Sequence, residues 1–271
     1  MIRYVKAHAC GNDFLVVVAG QVSPDKQREE AIRLCARNTG VGADGVEYLE
    51  WTGEASGRIR LFNADGSIAE ISGNGTRCVA AWMAYQKQTA VGETITIETD
   101  AGARECRVVK ADGHRFEFVS TMGVPTAGEH TVRLTDGAVV GGAVVSTGNP
   151  HFVIFVDDGD FRVLDRSWQT VGEEICHHPD FPEQTNVEFV RMVSAEEIEI
   201  RIFERGVGPT TSSGTGTCAT AVATISLRGG KPGLRVVAPG GAQRVDWPGA
   251  GQTILLAGPA ELISVGEAFR W

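Results

Sequence analysis

Two five-residue turns hold the most chemistry in this chain: Ser72-Gly73-Asn74-Gly75-Thr76 and Ser213-Gly214-Thr215-Gly216-Thr217. Glycines at alternate positions let backbone amides point outward with no side chain in the way. Each turn runs into an Ala-rich apolar stretch that reads as a helix, which adds unpaired N–H groups and the positive end of its dipole. The result is an anion site of the kind used for phosphate or carboxylate. A pair of such sites suits a compact anion whose charge grows during reaction, as when the proton α to a carboxylate is removed. The plainer reading is two helix caps with Ser or Thr at the N-cap. Neither turn carries a dinucleotide or P-loop fingerprint.

Polar residues that strands would aim at the same region surround these turns. They are Asn12, Asn63 and Asp65 in N-A-D-G, Asn149 and His151 in G-N-P-H, Asn186, and Glu204-Arg205 in E-R-G. The asparagines can read polar substrate groups, and Arg205 can clamp a carboxylate bidentately. Glu204 and His151 are acid–base candidates. Taken singly, each asparagine also fits a turn, and Glu204 and His151 also fit an exposed charge and a satisfied histidine. The run Cys176-His177-His178-Pro179-Asp180 matches no usual zinc spacing and reads as a surface loop, so no metal is expected.

The elements that position these residues come as a repeat. Shifted by 141 residues, Arg58–Trp82 aligns with Glu199–Ala223 without a gap, with identities at Ile59/Ile200, Arg60/Arg201, Phe62/Phe203, Ser72/Ser213, Gly73/Gly214, Gly75/Gly216, Thr76/Thr217 and Ala80/Ala221. Upstream, Gly11-Asn12 before Phe14-Leu15-Val16-Val17 resembles Gly148-Asn149 before His151-Phe152-Val153-Ile154. Two similar domains related by a pseudo-twofold axis are expected, with the matched loops facing across a cleft. Their expected bounds are 1–118, with 258–271 returning to it, and 119–257. Short apolar and alternating runs predict many strands, among them Gly45–Trp51, Gly57–Asn63, Thr185–Val190, Glu197–Glu204 and Gln252–Ala257. Helices are predicted over Pro24–Arg37, capped by Ser23, and over Thr76–Gln88, Asp165–Ile175 and Thr217–Leu227. The balance is α+β.

Composition sets the outer limits. Of 271 residues 42% are hydrophobic and 22% charged, which is ordinary for a globular chain. The net charge of −9 and the lack of a basic stripe argue against nucleic acid as a partner. The longest apolar run, Phe14–Ala19, falls far short of the roughly 20 residues of a spanning helix, so no membrane role is expected. The N-terminus opens into a strand pattern with no signal peptide, and the six cysteines are widely spaced with no C-x-x-C pair, which predicts a cytoplasmic protein.

These motifs resemble the diaminopimelate epimerase family over nearly the whole chain. His8-Ala9-Cys10-Gly11-Asn12-Asp13-Phe14 is similar to the family's H-G-x-G-N-D-F, and Phe62–Ser67 to F-N-A-D-G-S. Ser72–Cys78 corresponds to C-G-N-G-x-R-C, Gly148–His151 to G-N-P-H, and Glu204–Gly208 followed by Ser213–Gly216 to E-R-G-x-G then C-G-T-G. Ala238–Gly241 resembles the late P-G-G turn. The resemblance implies two pseudosymmetric domains, each a β-sheet wrapped around a central helix. It implies a cofactor-independent isomerase that interconverts LL- and meso-diaminopimelate in lysine and peptidoglycan precursor synthesis. The substrate α-carboxylate would sit on the amides of Gly73, Asn74, Gly214 and Thr215. Asn12, Asn63, Asn149, Asn186 and Arg205 would hold the rest, and His151 and Glu204 would support proton transfer. A homodimer is compatible with this reading.

One departure outweighs the matches. The family uses two cysteines as thiolate base and thiol acid, and those positions are Ser72 and Ser213 here. A thiol titrates near 8.5, whereas a serine hydroxyl is a far weaker acid that needs its own base. Three readings stand: a double Cys→Ser form of an epimerase that binds substrate and turns over extremely slowly; a natural epimerase whose serines are activated by Glu204, His151 or Asp65; or a relative with other chemistry, namely a one-base isomerase, a dehydratase or a non-catalytic ligand-binding protein. Cys78 and Cys218 fall inside the helices and read as core residues. A structural protein with no small ligand is the remaining class, and it gives Asn63, Asn149, Asn186 and Arg205 no common use.

Overall fold

A computed structural model describes residues 1–270. The chain divides into two compact units, one formed by Met1–Thr121 with the segment from Gly258 onward, the other by Met122–Ala257. The first unit contains β1 (Ile2–Ala9), β2 (Asn12–Val18), α1 (Gln27–Cys35), β3 (Gly45–Trp51), β4 (Ser56–Asn63), β5 (Ile68–Ala69), α2 (Gly73–Lys87), β6 (Thr94–Thr99), β7 (Gly102–Asp112) and β8 (Arg115–Thr121). The second contains β9 (Thr126–Arg133), β10 (Val139–Ser146), β11 (Pro150–Phe155), α3 (Trp168–Cys176), β12 (Asn186–Met192), β13 (Glu197–Glu204), β14 (Gly208–Thr210), α4 (Gly214–Leu227), β15 (Leu234–Ala238) and β16 (Gly241–Asp246). The last strand is β17 (Leu255–Ala268). Its first residues pair with β16 and its later ones with β1. The fold is α+β and dominated by sheet.

The repeat in the sequence is a repeat of ladders. In the first unit β2 runs parallel to β3 with Phe14 opposite Gly45, β3 pairs antiparallel with β4, and β4 runs parallel to β6. In the second, β11 runs parallel to β12 with His151 opposite Asn186, β12 pairs antiparallel with β13, and β13 runs parallel to β15. The starts of β3 and β12, of β4 and β13, and of α2 and α4 all differ by the same 141 residues.

Both faces of these strands are covered, so their side chains sort by parity. In β3, Val46 and Tyr48 join the core under α1, while Leu49 joins the core around α2. In β12, Val187 and Phe189 join the core under α3, while Val190 joins the core around α4. The helices α2 and α4 are buried through most of their length, as their Ala-rich composition requires. Among the described residues no helix is long and apolar enough to cross a membrane.

Several elements differ from the sequence reading. α1 begins at Gln27 rather than Pro24, and its N-cap is Lys26 with no side-chain cap bond. Ser23 instead closes the preceding turn, its carbonyl accepting from the Lys26 amide at 2.9 Å. α2 and α4 begin at Gly73 and Gly214, three residues before the expected starts. β5, β14 and β16 were not foreseen, and β17 extends to Ala268 instead of ending at Ala257.

Candidate active site

The serines at positions 72 and 213 are the N-caps of the two central helices. Ser72 has extended backbone, and its Oγ accepts from the Gly75 amide at 3.0 Å. Ser213 does the same for Gly216 at 3.2 Å. An oxygen at this position satisfies one of the orphan amides of the first turn and leaves the others. The structure thus shows the cap reading of both turns, and a cap of this kind is compatible with an anion site at the same helix ends.

In the second unit the expected residues form one connected network. His151 is fully buried; its Nδ1 lies 2.7 Å from Glu188 Oε1 and its Nε2 lies 2.9 Å from Asn149 Oδ1. Asn149 donates through Nδ2 to Thr215 Oγ1 at 3.3 Å, and Thr215 Oγ1 lies 3.4 Å from Ser213 Oγ. A carbonyl oxygen only accepts, so Nε2 donates to Asn149 and one proton remains to be shared between Nδ1 and the Glu188 carboxyl. Asn186 belongs to a neighbouring group: its Nδ2 donates to the Pro150 carbonyl at 2.9 Å and its Oδ1 accepts from the Arg205 amide at 3.0 Å. Arg205 is exposed and donates to the Glu183 carbonyl at 3.0 Å. Glu204 ends β13, half-buried, at the position that corresponds to Asn63 in the repeat.

In the first unit Asn12 has the place that Asn149 has in the second. Asn74 Nδ2 donates to Asn12 Oδ1 at 3.2 Å, so in each unit the asparagine of the G-N turn bonds the second residue of the central helix. Asn12 Nδ2 in turn donates to Asp44 Oδ2 at 2.7 Å. Asp44 is held by Arg37 at 2.7 Å, and Arg37 also pairs with Asp13 at 2.9 Å. Burial pushes the Asp13 carboxyl up, but the bonds and charges of Arg37 and Lys6 outweigh it and hold the group below the usual carboxylate range. Asn63 Nδ2 donates to Ser67 Oγ at 2.9 Å. Asp65 accepts from the Ser67 amide and hydroxyl, which lowers its carboxyl, so it holds a turn and does not bond Ser72.

Sequence reasoning missed two glutamates. Glu47 in β3 and Glu188 in β12 are both fully buried and stand 141 residues apart. They lie on the strand faces toward α2 and α4: Glu47 shares its face with Gly45, Leu49 and Trp51, and Glu188 shares its face with Asn186, Val190 and Met192. The repeat offset was the signal that could have found them.

The other cysteines and histidines are engaged elsewhere. All six cysteines are buried, and none forms a disulfide among the described residues. Burial pushes the Cys78 thiol up, so it is a core group rather than a nucleophile. In the run 176–180, His178 Nε2 lies 3.0 Å from the Arg133 carbonyl oxygen, and Asp180 meets His130 at 3.1 Å.

The family model described as diaminopimelate epimerase matches residues 4–127 and 143–263. The chain is 37% identical over 283 residues to the diaminopimelate epimerase of Pelotomaculum thermopropionicum, covering 98% of both chains. It is 38% identical over 284 residues to that of Desulforudis audaxviator, covering 99% of this chain and 100% of the relative. Among solved structures, a hydroxyproline epimerase from Agrobacterium vitis has TM-score 0.71 at 18% identity, covering 98% of this chain and 90% of that one. A phenazine biosynthesis protein from Bacillus anthracis has TM-score 0.72 at 14% identity, covering 99% of both. The folds of such distant structures are shared, and the full-length matches at over a third identity settle the lineage: the chain belongs to the diaminopimelate epimerase family.

Proposed function

We propose that this chain is a cofactor-independent amino-acid epimerase that interconverts LL- and meso-diaminopimelate by removing and returning the α-proton, in lysine and peptidoglycan precursor synthesis. The observation that carries the reading is the duplicated helix N-terminus, each with an N-cap serine and an asparagine bonded to its first turn. Inversion at carbon needs one proton-handling group for each face, and each unit supplies one such half-site. The amides of Gly73, Asn74, Gly214 and Thr215 take the α-carboxylate and stabilise the charge that grows on it as the proton leaves. Asn12, Asn63, Asn149 and Asn186 hold polar groups of the substrate, and Arg205 takes the distal carboxylate. Ser72 and Ser213 stand at the two reacting positions, with His151 and Glu204 assisting proton transfer. A serine oxygen keeps the cap geometry but is a poorer proton acceptor than a thiolate, so binding is retained and turnover is slow.

A one-base isomerase is the second reading. It is favoured by one observation: a buried histidine is linked through Asn149 and Thr215 to Ser213, whereas the corresponding position in the first unit is Phe14. Incubation with LL-diaminopimelate in heavy water, followed by NMR, separates the two. Loss of the α-proton signal with appearance of the meso isomer is expected. Exchange without inversion supports the one-base isomerase, and binding with neither supports a ligand-binding protein.

A further inference from the structure

The two buried glutamates have matching surroundings and unequal partners. The third residue of each central helix is a glycine, and the space a Cβ would fill is taken by a carboxyl. At Gly75 that point lies 2.0 Å from Glu47 Oε1 and 3.2 Å from Ser72 Cβ. At Gly216 it lies 2.7 Å from Glu188 Oε1, 3.2 Å from Ser213 Cβ and 3.3 Å from Ser213 Oγ. In each unit a glycine of the first helical turn thus lies beside both a buried carboxyl and the N-cap serine. Glu188 is bonded to His151. The residue of β2 in the corresponding ladder position is Phe14, and neither oxygen of Glu47 has a hydrogen-bond partner among the described residues. On the adjoining strands Glu47 pairs with Val16 and Leu61, so its neighbours there are apolar.

A carboxylate with no partner and no water is among the most expensive groups to bury, so such a group keeps its proton. Burial accordingly pushes the Glu47 carboxyl up to about 8. Packing alone does not call for it, since an apolar residue of similar size would fill the same space without the desolvation cost.

We propose that Glu47 is a positioning residue of the N-terminal half-site, a neutral carboxylic acid that holds a proton behind Ser72 as the His151–Glu188 pair holds one near Ser213. The inference rests on the epimerase reading. For the isomer whose α-proton meets the C-terminal half-site, the α C–H bond breaks, its electron pair stays on the substrate and its proton passes by way of Ser213 to the His151–Glu188 pair. The other half-site forms the new C–H bond by giving up its serine hydroxyl proton. The Ser72 oxygen takes the Glu47 proton as it gives up its own, which leaves Glu47 as the carboxylate; that carboxylate is the acceptor, through Ser72, when the other isomer reacts, and between turnovers of one isomer the site as a whole takes up one proton and releases one. The two half-sites then do the same work with different donors, a lone carboxyl in one and a histidine–carboxyl pair in the other.

The test compares wild type, Glu47→Gln and Glu188→Gln, each incubated with LL- and with meso-diaminopimelate in heavy water. Each variant is expected to lose inversion by about 100-fold. Each should keep α-proton exchange on one isomer only, with the retained isomer opposite in the two variants. Glu47→Asp, which restores the acid, should recover inversion. Unchanged inversion in Glu47→Gln, or equal loss of exchange on both isomers, overturns the proposal. An infrared difference between wild type and Glu47→Gln at neutral pH should show the carbonyl band of a protonated carboxyl, and its absence also overturns the proposal. If wild type neither exchanges nor inverts, the epimerase reading fails and the role in turnover falls with it, while the infrared band still decides where the proton resides.

Discussion

Glu47 is the residue at which stability and function pull apart. Its folded-state value of about 8 lies above its ordinary 4.5, so the folded protein binds this proton more tightly than the unfolded chain does. The contribution is therefore fully present below about 4.5 and is lost as pH rises toward about 8. Glu47→Gln has no such titration. Its stability relative to wild type should improve steadily from pH 5 to pH 8 in urea denaturation, and a constant difference would show that Glu47 finds a partner when ionised. Ser72 and Ser213 behave differently: their oxygens are cap acceptors, so a substitution that keeps an acceptor atom changes the chemistry while preserving the start of the helix.

Elements, rather than single residues, explain what could be read from the sequence. The strands Gly45–Trp51 and Glu197–Glu204 were legible to the residue, the first because it is a short apolar and aromatic run and the second because isoleucines alternate with charged residues. The first turns of α2 and α4 were not, because Gly73, Gly75, Gly214 and Gly216 argue against helix on propensity. Capping by serine and complete burial override that preference. β17 was cut short because Gly258 and Pro259 punctuate it, although the burial alternation continues past them to Leu262. Glu47 and Glu188 were hidden because a lone charge in V-E-Y-L or N-V-E-F reads as the solvent side of a strand, and here a helix covers both sides. Among the candidate residues, the link from Asn149 through Thr215 to Ser213 was legible only as a set of polar types near the same turns. A helical Gly→Ala change ordinarily stabilises by about 1 kcal/mol. At Gly216 the new Cβ would lie 2.7 Å from the Glu188 carboxyl that His151 holds. Gly216→Ala should instead cost about 1–3 kcal/mol by overpacking. A raised midpoint in denaturant would show that the carboxyl moves aside freely.

At the scale of the whole molecule, each unit has its own two cores, one around its central helix and one beneath its second helix. The second unit is contiguous from Met122 to Ala257, whereas the first needs the chain from Gly258 to supply the β17 partner of β1. A fragment of residues 122–257 should therefore unfold cooperatively on its own, and a fragment of residues 1–121 should not until the C-terminal segment is restored. Cooperative unfolding of 1–121 alone would contradict this division of stability. Duplication of the fold gives one chain two serine-capped helix N-termini, which on the proposed reading is what an inversion at carbon can use. The central claim is that the capping serines occupy the two reacting positions. It is tested most directly by the epimerisation rate of Ser72→Cys combined with Ser213→Cys on LL-diaminopimelate. The account predicts a rise of orders of magnitude over wild type with the fold intact, and an unchanged rate would contradict it.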